Sequence, residues 1–271
     1  MYLTRHQVAG GSRWAVDGRT LPDDFELRRL LDLPNATVQN FLRGIVTDVT
    51  ASGPLLAPVD PFTEVWAAGV TYLRSREARE AESTVSDLYS RVYEAERPEL
   101  FFKAVGWRVS GHAMPIRIRR DSSWNVPEPE LTLVINARGE IVGFCAGNDV
   151  SSRDIEGANP LYLPQAKIYD GACSLGPGIS LCEADTLSNL SIELAVTRNG
   201  HAIFASETRT SRIKRPLREL VDYLRRELDF PNGVFLMTGT GIVPPDDFSL
   251  AGGDHVRITI GDLTLENEVA R

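Results

Sequence analysis

Cysteine is scarce in this chain of 271 residues, which contains only Cys145, Cys173 and Cys182 and no C-x-x-C pair. An odd, sparse set of this kind indicates reduced thiols rather than a disulfide framework, so we expect a cytoplasmic protein. Cys145 lies within an apolar segment, where a thiol usually packs as a small core residue.

Three further absences narrow the function. No apolar run approaches the roughly 18 residues of a membrane span and no secretory apolar region follows Met1, so we expect no membrane partner. The chain has 29 lysines and arginines against 37 aspartates and glutamates, a formal net charge of −8, which argues against a nucleic-acid partner. Because no G-x-G-x-x-G motif follows a predicted strand and no Walker A motif occurs, a nucleotide cofactor is not expected.

The length allows one large domain, or one domain with a small appendage. An extended, proline-marked connector at 55–61 divides the chain into a small N-terminal domain over residues 1–60, with a helix predicted at 23–31, and a main domain over residues 61–271. Apolar segments bounded by Gly, Pro or Asn predict the strands of the main domain at 65–70, 100–104, 115–119, 131–135, 141–146, 191–197 and 256–260. A helix is predicted at 217–228, where the apolar residues fall on one stripe. Because the predicted strands predominate, the fold is predicted to be mainly β, of the α+β class.

Residues 72–97 are densely charged and have helical composition, with an interruption at Ser83-Thr84. One interpretation is a solvated helix held by ion pairs between residues four positions apart. The other is a mobile lid over a site. The two interpretations are compatible, and composition leaves both open.

The most informative motif is a pair of glutamates, Glu128 and Glu130, in a proline-rich extended stretch. Residues i and i+2 of an extended chain project to the same face, and the proline that follows Glu128 keeps it out of the helical region. Antiparallel pairing around a two-residue turn at Arg138-Gly139 then sets Asp149 opposite Glu128. Three carboxylates are therefore predicted to meet on one face of a hairpin.

Such a trio of carboxylates needs a positive partner, because the three charges repel one another and would raise at least one pKa. A hard divalent cation with oxygen ligands, Mg²⁺ or Mn²⁺ before zinc, is the natural partner. The alternative is a polar hairpin end with solvated acids, since a Glu-x-Glu pair is common by chance. The spacing alone leaves both open.

Further ordered motifs accompany the two glutamates, at 98–103, 124–131, 147–154, 238–240, 252–254 and 261–267. In this order they resemble the fumarylacetoacetate hydrolase family, over residues 65–269. The resemblance implies a distorted β-sandwich or roll for the main domain. It also implies a homo-oligomer, dimeric or higher, and a bound Mg²⁺, with Mn²⁺ or Ca²⁺ as substitutes.

By this resemblance the metal ligands are Glu128, Glu130 and Asp149, and Lys167 is a catalytic residue beside them. The alternative for Lys167 is a surface ammonium, which is where most lysines lie.

The resemblance also implies groups that bind a substrate carboxylate, for which Arg153 and Thr240 are the candidates. Arg153 could equally pair with its neighbour Asp154. The family usually has proline after Thr-Gly-Thr, whereas this chain has Gly241, which we expect to loosen the loop that carries Thr240.

One departure from the family's hydrolases concerns the pair that activates water. Where those enzymes carry a histidine and a glutamate, this chain has Ser75 and Ala78. A serine without an adjacent base is a poor activator of water, so Ser75 is assigned to substrate binding.

A second departure is Glu99, which stands where the hydrolases usually have an apolar residue. On an extended strand Glu99 and Lys103 share a face, so both are predicted to reach the site, Lys103 as a substrate-binding residue. A carboxyl beside a bound 2-oxo acid can take a proton from C3 or deliver one to a departing C4 hydroxyl, which makes Glu99 a catalytic candidate. The alternative is a Glu99–Lys103 ion pair that orders the strand.

The resemblance is greatest to the branch of the family that dehydrates 2-keto-3-deoxy sugar acids. It implies a lyase acting on a small 2-oxo acid, for example converting 2-keto-3-deoxy-D-arabinonate to 2-oxoglutarate semialdehyde through a metal-stabilised enolate. The alternatives are an acylpyruvate or diketo-acid C–C hydrolase, or a 2-oxo acid decarboxylase, using an unrecognised base. A non-enzymatic ligand-sensing or scaffold module is a further alternative.

Overall fold

The computed structural model describes residues 1–82 and 86–270, apart from the side chains of residues 81, 82, 86 and 87. Within these residues two main β-sheets share a core and seven α-helices lie around them. The fold is mainly β, a distorted sandwich, which confirms the prediction. None of the described helices has the length and hydropathy needed to cross a bilayer.

The strands fall into three sheets. The larger sheet contains β1 (Tyr2–Val8), β2 (Gly11–Val16), β3 (Arg19–Thr20), β4 (Leu55–Leu56), β5 (Glu64–Gly69), β6 (Glu99–Val105), β8 (Pro129–Ile135), β9 (Ile141–Asp149), β11 (Cys173–Leu181) and β14 (Val234–Met237). The smaller sheet contains β12 (Ser191–Arg198), β13 (His201–Arg209), β15 (His255–Ile260) and β16 (Leu263–Glu268). A two-stranded ribbon pairs β7 (Asn125–Val126) with β10 (Ser151–Ser152).

The helices lie mostly in the connections between strands. They are α1 (Leu27–Leu31), α2 (Asn35–Ile45), α3 (Leu73–Glu82), α4 (Ser86–Glu94), α5 (Arg153–Ala158), α6 (Leu163–Lys167) and α7 (Leu217–Leu224).

The hairpin β8–β9 forms the middle of the larger sheet, whose order is β3-β2-β1-β11-β9-β8-β14-β5-β6. Glu130 pairs with Gly147 in the predicted register, and the backbone N–H of Asp149 donates to the Glu128 carbonyl at 3.0 Å. The predicted two-residue turn at Arg138-Gly139 is wrong, because the Asn136 N–H donates to the Glu140 carbonyl at 3.0 Å around a three-residue loop, and a bulge after Val134 restores the predicted register. The predicted meeting of positions 128 and 149 is therefore confirmed.

Every residue of β8 and β9 is buried, because both faces of the hairpin are covered. One face packs against the smaller sheet and α7, through residues such as Leu133, Ile258 and Leu220. The other face packs with α1, α2 and the N-terminal strands, through residues such as Val134 and Leu30. This double cover holds the carboxylate-bearing end of the hairpin rigidly within the protein.

The N-terminal segment adds strands to the larger sheet rather than standing apart from it. Tyr2 and Leu3 of β1 pair with Ser180 and Ile179 of β11. Leu42 of α2 belongs to the same buried cluster as strands of the main domain. The division into domains near residue 60 stays a prediction.

Three predicted elements differ from the structure. The helix predicted at 23–31 begins only at Leu27, as α1. Residues 115–119 form a single bridge, Ile116 with Val269, in place of a strand. The predicted helix at 217–228 ends at Leu224, since Arg225 leaves the helical conformation and its Nη2 donates to the Ala137 carbonyl at 2.8 Å. The side chain of Leu228, predicted to extend the apolar stripe, is accordingly 42% exposed.

The charged segment forms α3 and α4, as its composition predicts. The predicted interruption at Ser83-Thr84 lies outside the described residues. Arg76 and Glu80 are paired at 3.6 Å, as a solvated helix requires, while other residues of α3 face the interior. The helix therefore has both a solvated face and a face turned to the candidate site.

Candidate active site

The carboxylates of Glu128, Glu130 and Asp149 meet at the end of the β8–β9 hairpin. One oxygen of each lies within 4.8 Å of the other two, and the residues are 4%, 2% and 1% exposed. Oxygen-only donors in a buried cluster are the ligand set that hard dications prefer. The alternative of solvated acids at a polar hairpin end is wrong for this chain, since water has almost no access to the trio.

Lys167, at the end of α6, binds two members of this trio. Its Nζ donates to Glu128 Oε2 at 2.7 Å, to Asp149 Oδ2 at 3.1 Å and to Ser151 Oγ at 2.6 Å. Burial on its own would lower the pKa of Lys167, but the charges of Asp149 and Glu128 raise it above the ordinary value. Lys167 is 3% exposed, so the alternative of a surface ammonium is wrong, and its catalytic role stays a prediction.

Glu128 also accepts hydrogen bonds from two arginines. Arg79 Nη2 donates to its Oε1 at 2.6 Å, and Arg153 Nη1 donates to the same atom at 3.2 Å. Burial would raise the pKa of Glu128, but the charges and hydrogen bonds of Lys167 and Arg79 outweigh it and lower the pKa to about 2. Glu128 is therefore held as a carboxylate at any physiological pH.

Glu130 has the opposite electrostatic environment. Burial and the charges of Asp149 and Glu128 raise its pKa well above the ordinary value. The opposing contributions, from Lys167 and from the Gly239 N–H that donates to Glu130 Oε2 at 2.6 Å, are smaller. A dication between the three carboxylates would remove this repulsion, so the residues fit a bound metal ion.

Glu99 begins β6 and lines the same cavity as the trio. Burial, reinforced by the charge of Glu156, raises the pKa of Glu99 to about 7, against the opposing charges of Lys167 and Arg79. A carboxyl with this pKa can both hold and release a proton near neutrality.

Gly69 is the cross-strand partner of Glu99 and makes room for its side chain. A Cβ placed on Gly69 would lie 2.0 Å from Glu99 Oε2 and 2.6 Å from its carboxyl carbon. The glycine is therefore a steric requirement of the carboxyl's position.

Gly69→Ala should displace the Glu99 carboxyl and lower kcat by about 10- to 100-fold, because a small misplacement of a reacting group has an effect of that order. The flexible end of Glu99 can move aside, so the melting temperature should change little. The matched control is Gly11→Ala in β2, where a Cβ meets nothing within 4 Å. Equal activities of the two variants would contradict this account of Gly69.

Lys103 does not line the cavity and instead contacts Asp149 from the side away from it. It is the extra residue of a bulge in the β5–β6 pairing, and its Nζ binds Asp149 Oδ1 and the Lys167 carbonyl. Lys103 therefore pairs with Asp149, and the alternative of a Glu99–Lys103 ion pair is not what the geometry favours. Its predicted contact with substrate stays a prediction.

Arg153 likewise binds a carboxylate of the trio, with Nη1 on Glu128, and it is 2% exposed. Its neighbour Asp154 instead accepts hydrogen bonds from Ser122 and Ser123, so the considered Arg153–Asp154 pair is replaced by Arg153–Glu128. A direct contact of Arg153 with substrate stays a prediction.

The first helix of the charged segment covers the cavity. Ser75 and Arg79, one turn apart on α3, both line it, and they are 4% and 6% exposed. The chain enters α3 through Val70, whose φ of +51° is unusual for a β-branched residue. Ser75 thus lies where it was predicted, and α3 forms one wall of the site.

Thr240 lines the cavity on the opposite side, in the Thr-Gly-Thr loop. The expectation that Gly241 loosens this loop is not supported, because a Cβ on Gly241 would lie 2.5 Å from the Tyr72 ring. The Ile242 N–H also donates to Thr240 Oγ1 at 3.2 Å. The glycine permits close packing against Tyr72 and the loop is held in place.

Arg79 and Glu156 are site residues that the sequence did not identify. Arg79 Nε lies 3.3 Å from Glu156 Oε1, and both residues line the cavity. The four-residue spacing of Ser75 and Arg79 on a predicted helix was the one available signal.

The cavity that these residues enclose is small, with a volume of about 20 Å³. That is room for a water molecule or two and not for a five-carbon acid. A substrate therefore enters only if part of the wall moves, and among the described segments that line the cavity the helices α3, α5 and α6 are not held by strand pairing.

Comparisons with known proteins agree with this geometry. The family model described as "Fumarylacetoacetate (FAA) hydrolase C-terminal" matches residues 64–270. A probable 2-keto-3-deoxyxylonate dehydratase of Haloferax volcanii is 48% identical over 227 residues, 83% of this chain and 78% of the relative. A 2-dehydro-3-deoxy-D-arabinonate dehydratase of Saccharolobus solfataricus is 43% identical over 213 residues, 76% of this chain and 70% of the relative.

A solved structure is similar over the full length of the chain. It is described as 2-keto-3-deoxy-D-arabinonate dehydratase complexed with magnesium and 2,5-dioxopentanoate, and has a TM-score of 0.85 at 33% identity. The similarity covers 100% of this chain and 99% of that one. This chain therefore belongs to the fumarylacetoacetate hydrolase family.

Proposed function

We propose that this protein is a divalent-metal-dependent hydro-lyase that removes water from a 2-keto-3-deoxy sugar acid. The observation that carries the proposal is a buried carboxylate trio that shares one cavity with a proton-transfer carboxyl, Glu99. The relatives from Haloferax volcanii and Saccharolobus solfataricus, both named as dehydratases of such acids, support this choice of substrate.

The residues around the cavity argue against a hydrolase that activates water. Ser75 lines the cavity where the family's hydrolases carry histidine, and Ala78 is an apolar residue in place of their glutamate. Among the described residues that line the cavity there is no histidine. The cavity therefore lacks the histidine–glutamate pair with which the family's hydrolases activate water for attack on a carbon–carbon bond.

We assign Glu128, Glu130 and Asp149 as the ligands of Mg²⁺, with Mn²⁺ or Ca²⁺ as substitutes. The solved relative that is complexed with magnesium and 2,5-dioxopentanoate supports this choice of ion. When bound, such a dication polarises a 2-oxo acid and makes its C3 protons more acidic.

The charge of the site suits a substrate with one carboxylate. Five carboxylates, those of Glu99, Glu128, Glu130, Asp149 and Glu156, lie among four cations, those of Arg79, Lys103, Arg153 and Lys167. With all of them ionised the cluster carries −1. A dication and a monocarboxylate substrate together bring it to zero, so a second substrate carboxylate would be uncompensated.

We assign the two proton transfers to Glu99 and Lys167. Protonated Glu99 donates to the departing C4 hydroxyl, which leaves as water, since a pKa of about 7 keeps a proton available. Lys167 accepts the C3 proton, a role for which its ammonium group must first release one proton to water. The C3–H and C4–O bonds break and a C3=C4 double bond forms. A proton then moves from C5 to C3, which gives a C4=C5 enol, and the proton on O5 moves to C4, so that a pentonate product becomes 2,5-dioxopentanoate, also called 2-oxoglutarate semialdehyde.

The remaining predicted residues divide into two groups. Ser75 and Thr240 line the cavity from opposite walls and are placed to bind substrate oxygens. Lys103 and Arg153 each bind a carboxylate of the trio, so we propose that they act on the substrate mainly by positioning Asp149 and Glu128.

The test is to incubate the purified protein with 2-keto-3-deoxy-D-arabinonate and Mg²⁺ and to detect the semialdehyde with an NADP-linked aldehyde dehydrogenase. We expect semialdehyde formation that stops when EDTA is added and resumes with excess Mg²⁺. Acetylpyruvate, a substrate for C–C hydrolases, should keep its absorbance. Pyruvate as the product, or cleavage of acetylpyruvate, would contradict the proposal.

Two further expectations complete the proposal. The homo-oligomeric state, dimeric or higher, and the location in the cytoplasm stay predictions. Sedimentation of the purified protein tests the first.

A further inference from the structure

Glu156 is a buried acid of α5 whose second oxygen is not satisfied. The residue is 5% exposed and lines the cavity. Its Oε1 lies 3.3 Å from Arg79 Nε, whereas Oε2 accepts no hydrogen bond from the described residues and has Arg153 Nη1 at 3.8 Å. A buried carboxylate oxygen without a hydrogen bond is costly, which indicates a donor that arrives with the ligand.

The surroundings of Glu156 select the kind of donor. Arg79 and Arg153 already offset its charge, so a cationic ligand group would face two guanidinium groups. A carboxylate on this part of the ligand would be repelled by the carboxylates of Glu156 and Glu99. A neutral hydroxyl has neither conflict and can donate to Oε2.

The distance from the trio is also suitable. Arg79 connects Glu156 to the carboxylate trio, because its Nη2 binds Glu128 and its Nε lies beside Glu156. Glu156 is therefore one guanidinium group away from the trio. A 2-oxo acid held at its C1–C2 end by the trio would extend past Glu99 toward Glu156.

We propose that Glu156 accepts a hydrogen bond from the C5 hydroxyl of the sugar acid and thereby selects hydroxylated monocarboxylic 2-oxo acids over apolar or dicarboxylic ones. Arg79 and Arg153 position the Glu156 carboxylate. The inference rests on the proposed function for the orientation of the substrate. It identifies Glu156 as the residue that recognises the C5 end of the substrate.

The first test compares kcat/KM for 2-keto-3-deoxy-D-arabinonate and for 4-hydroxy-2-oxopentanoate, which differs by loss of the C5 hydroxyl. The wild type should prefer the hydroxylated acid by about 10- to 100-fold, because loss of a hydrogen bond to a charged acceptor has an effect of that order. In Glu156→Gln the preference should fall about tenfold, whatever change in rate the two substrates share. A wild-type ratio near one, or an unchanged ratio in the variant, would overturn the inference.

The second test does not depend on turnover. Neither 5-hydroxy-2-oxopentanoate nor 2-oxopentanoate has a C4 hydroxyl to eliminate, so calorimetry in Mg²⁺ measures only their binding. The wild type should bind the hydroxylated acid about tenfold or more tightly, and Glu156→Gln should lose most of that difference. If the wild type shows this binding preference but dehydrates no sugar acid, the proposed function fails and the inference stands.

The matched control is Asp154→Asn, on the same short helix. The Asp154 carboxylate accepts hydrogen bonds from Ser122 and Ser123, so this change removes an acid of α5 that faces away from the cavity. The substrate ratio should stay at the wild-type value. A loss of the ratio in Asp154→Asn equal to that in Glu156→Gln would show a general effect of disturbing α5 and would overturn the inference.

Discussion

Glu130→Gln should abolish Mg²⁺-dependent turnover while leaving the metal-free protein at least as stable as the wild type at neutral pH. The activity should fall by about 1,000-fold or more, since the electrostatic contribution of a catalytic metal amounts to several kcal/mol and each 1.4 kcal/mol is tenfold in rate. The amide oxygen of glutamine can still accept the Gly239 N–H, so the loop contact survives. The two effects separate the metal-binding role of Glu130 from a structural one.

The stability difference follows from the raised pKa of Glu130, which reflects burial and the charges of Asp149 and Glu128. A carboxyl whose pKa is higher in the folded state binds its proton more tightly there. Its contribution to stability is present below the unfolded pKa and is lost as pH rises through the folded value, by about 1.4 kcal/mol for each unit of the shift. Metal-free wild type should therefore lose stability with rising pH more steeply than Glu130→Gln.

Adding Mg²⁺ should reverse the order of stability. A ligand at 100 times its Kd stabilises the folded state by about 2.7 kcal/mol, which for a chain of this size is a rise of several degrees in Tm. The wild type should show this rise and Glu130→Gln should not. The control is Glu227→Gln, an exposed acid after α7, which should melt as the wild type does with and without the ion. An equal Mg²⁺-dependent rise in Glu130→Gln would contradict the assignment of Glu130 as a ligand.

The carboxylate trio could be predicted from the sequence because its members lie on two strands joined by a short loop. Alternation and a tight turn near Arg138-Gly139 predict Glu128 beside Asp149 without knowledge of any other part of the chain. The loop has three residues, 137–139, in place of the predicted two, and the bulge after Val134 shifts the register by one residue, which restores the predicted pairing at the carboxylate end.

The contacts that depend on packing between elements distant in the chain could not be predicted from the sequence. Arg79 and Glu156 come together because α3 and α5 cover the same cavity, and no local period indicates that. Lys103 was predicted to share a face with Glu99, but the bulge in β6 aims it at Asp149 beneath the cavity. Residues 115–119 have the composition of a strand, yet they pair at one residue only, since propensity does not supply a partner strand.

Glu99→Gln should lower kcat by about 100- to 10,000-fold while Mg²⁺ binding stays near the wild-type value. Removing a general acid has an effect of that size, and glutamine keeps the shape of the side chain without a transferable proton. The metal ligands are unchanged, so a calorimetric Mg²⁺ titration of the variant should match the wild type within a few-fold. Loss of ion binding together with activity would instead give Glu99 a structural role.

The pH dependence tests the direction of the proton transfer. Burial and the charge of Glu156 raise the pKa of Glu99 to about 7. As a proton donor Glu99 is active when protonated, so the ratio of the wild-type rate to the Glu99→Gln rate, in which the titration of Lys167 cancels, should be level below pH 7 and should fall about tenfold for each unit above it. The variant has no carboxyl to titrate at position 99. A ratio that falls below pH 7 instead would make Glu99 the acceptor of the C3 proton and would reverse its assignment with Lys167.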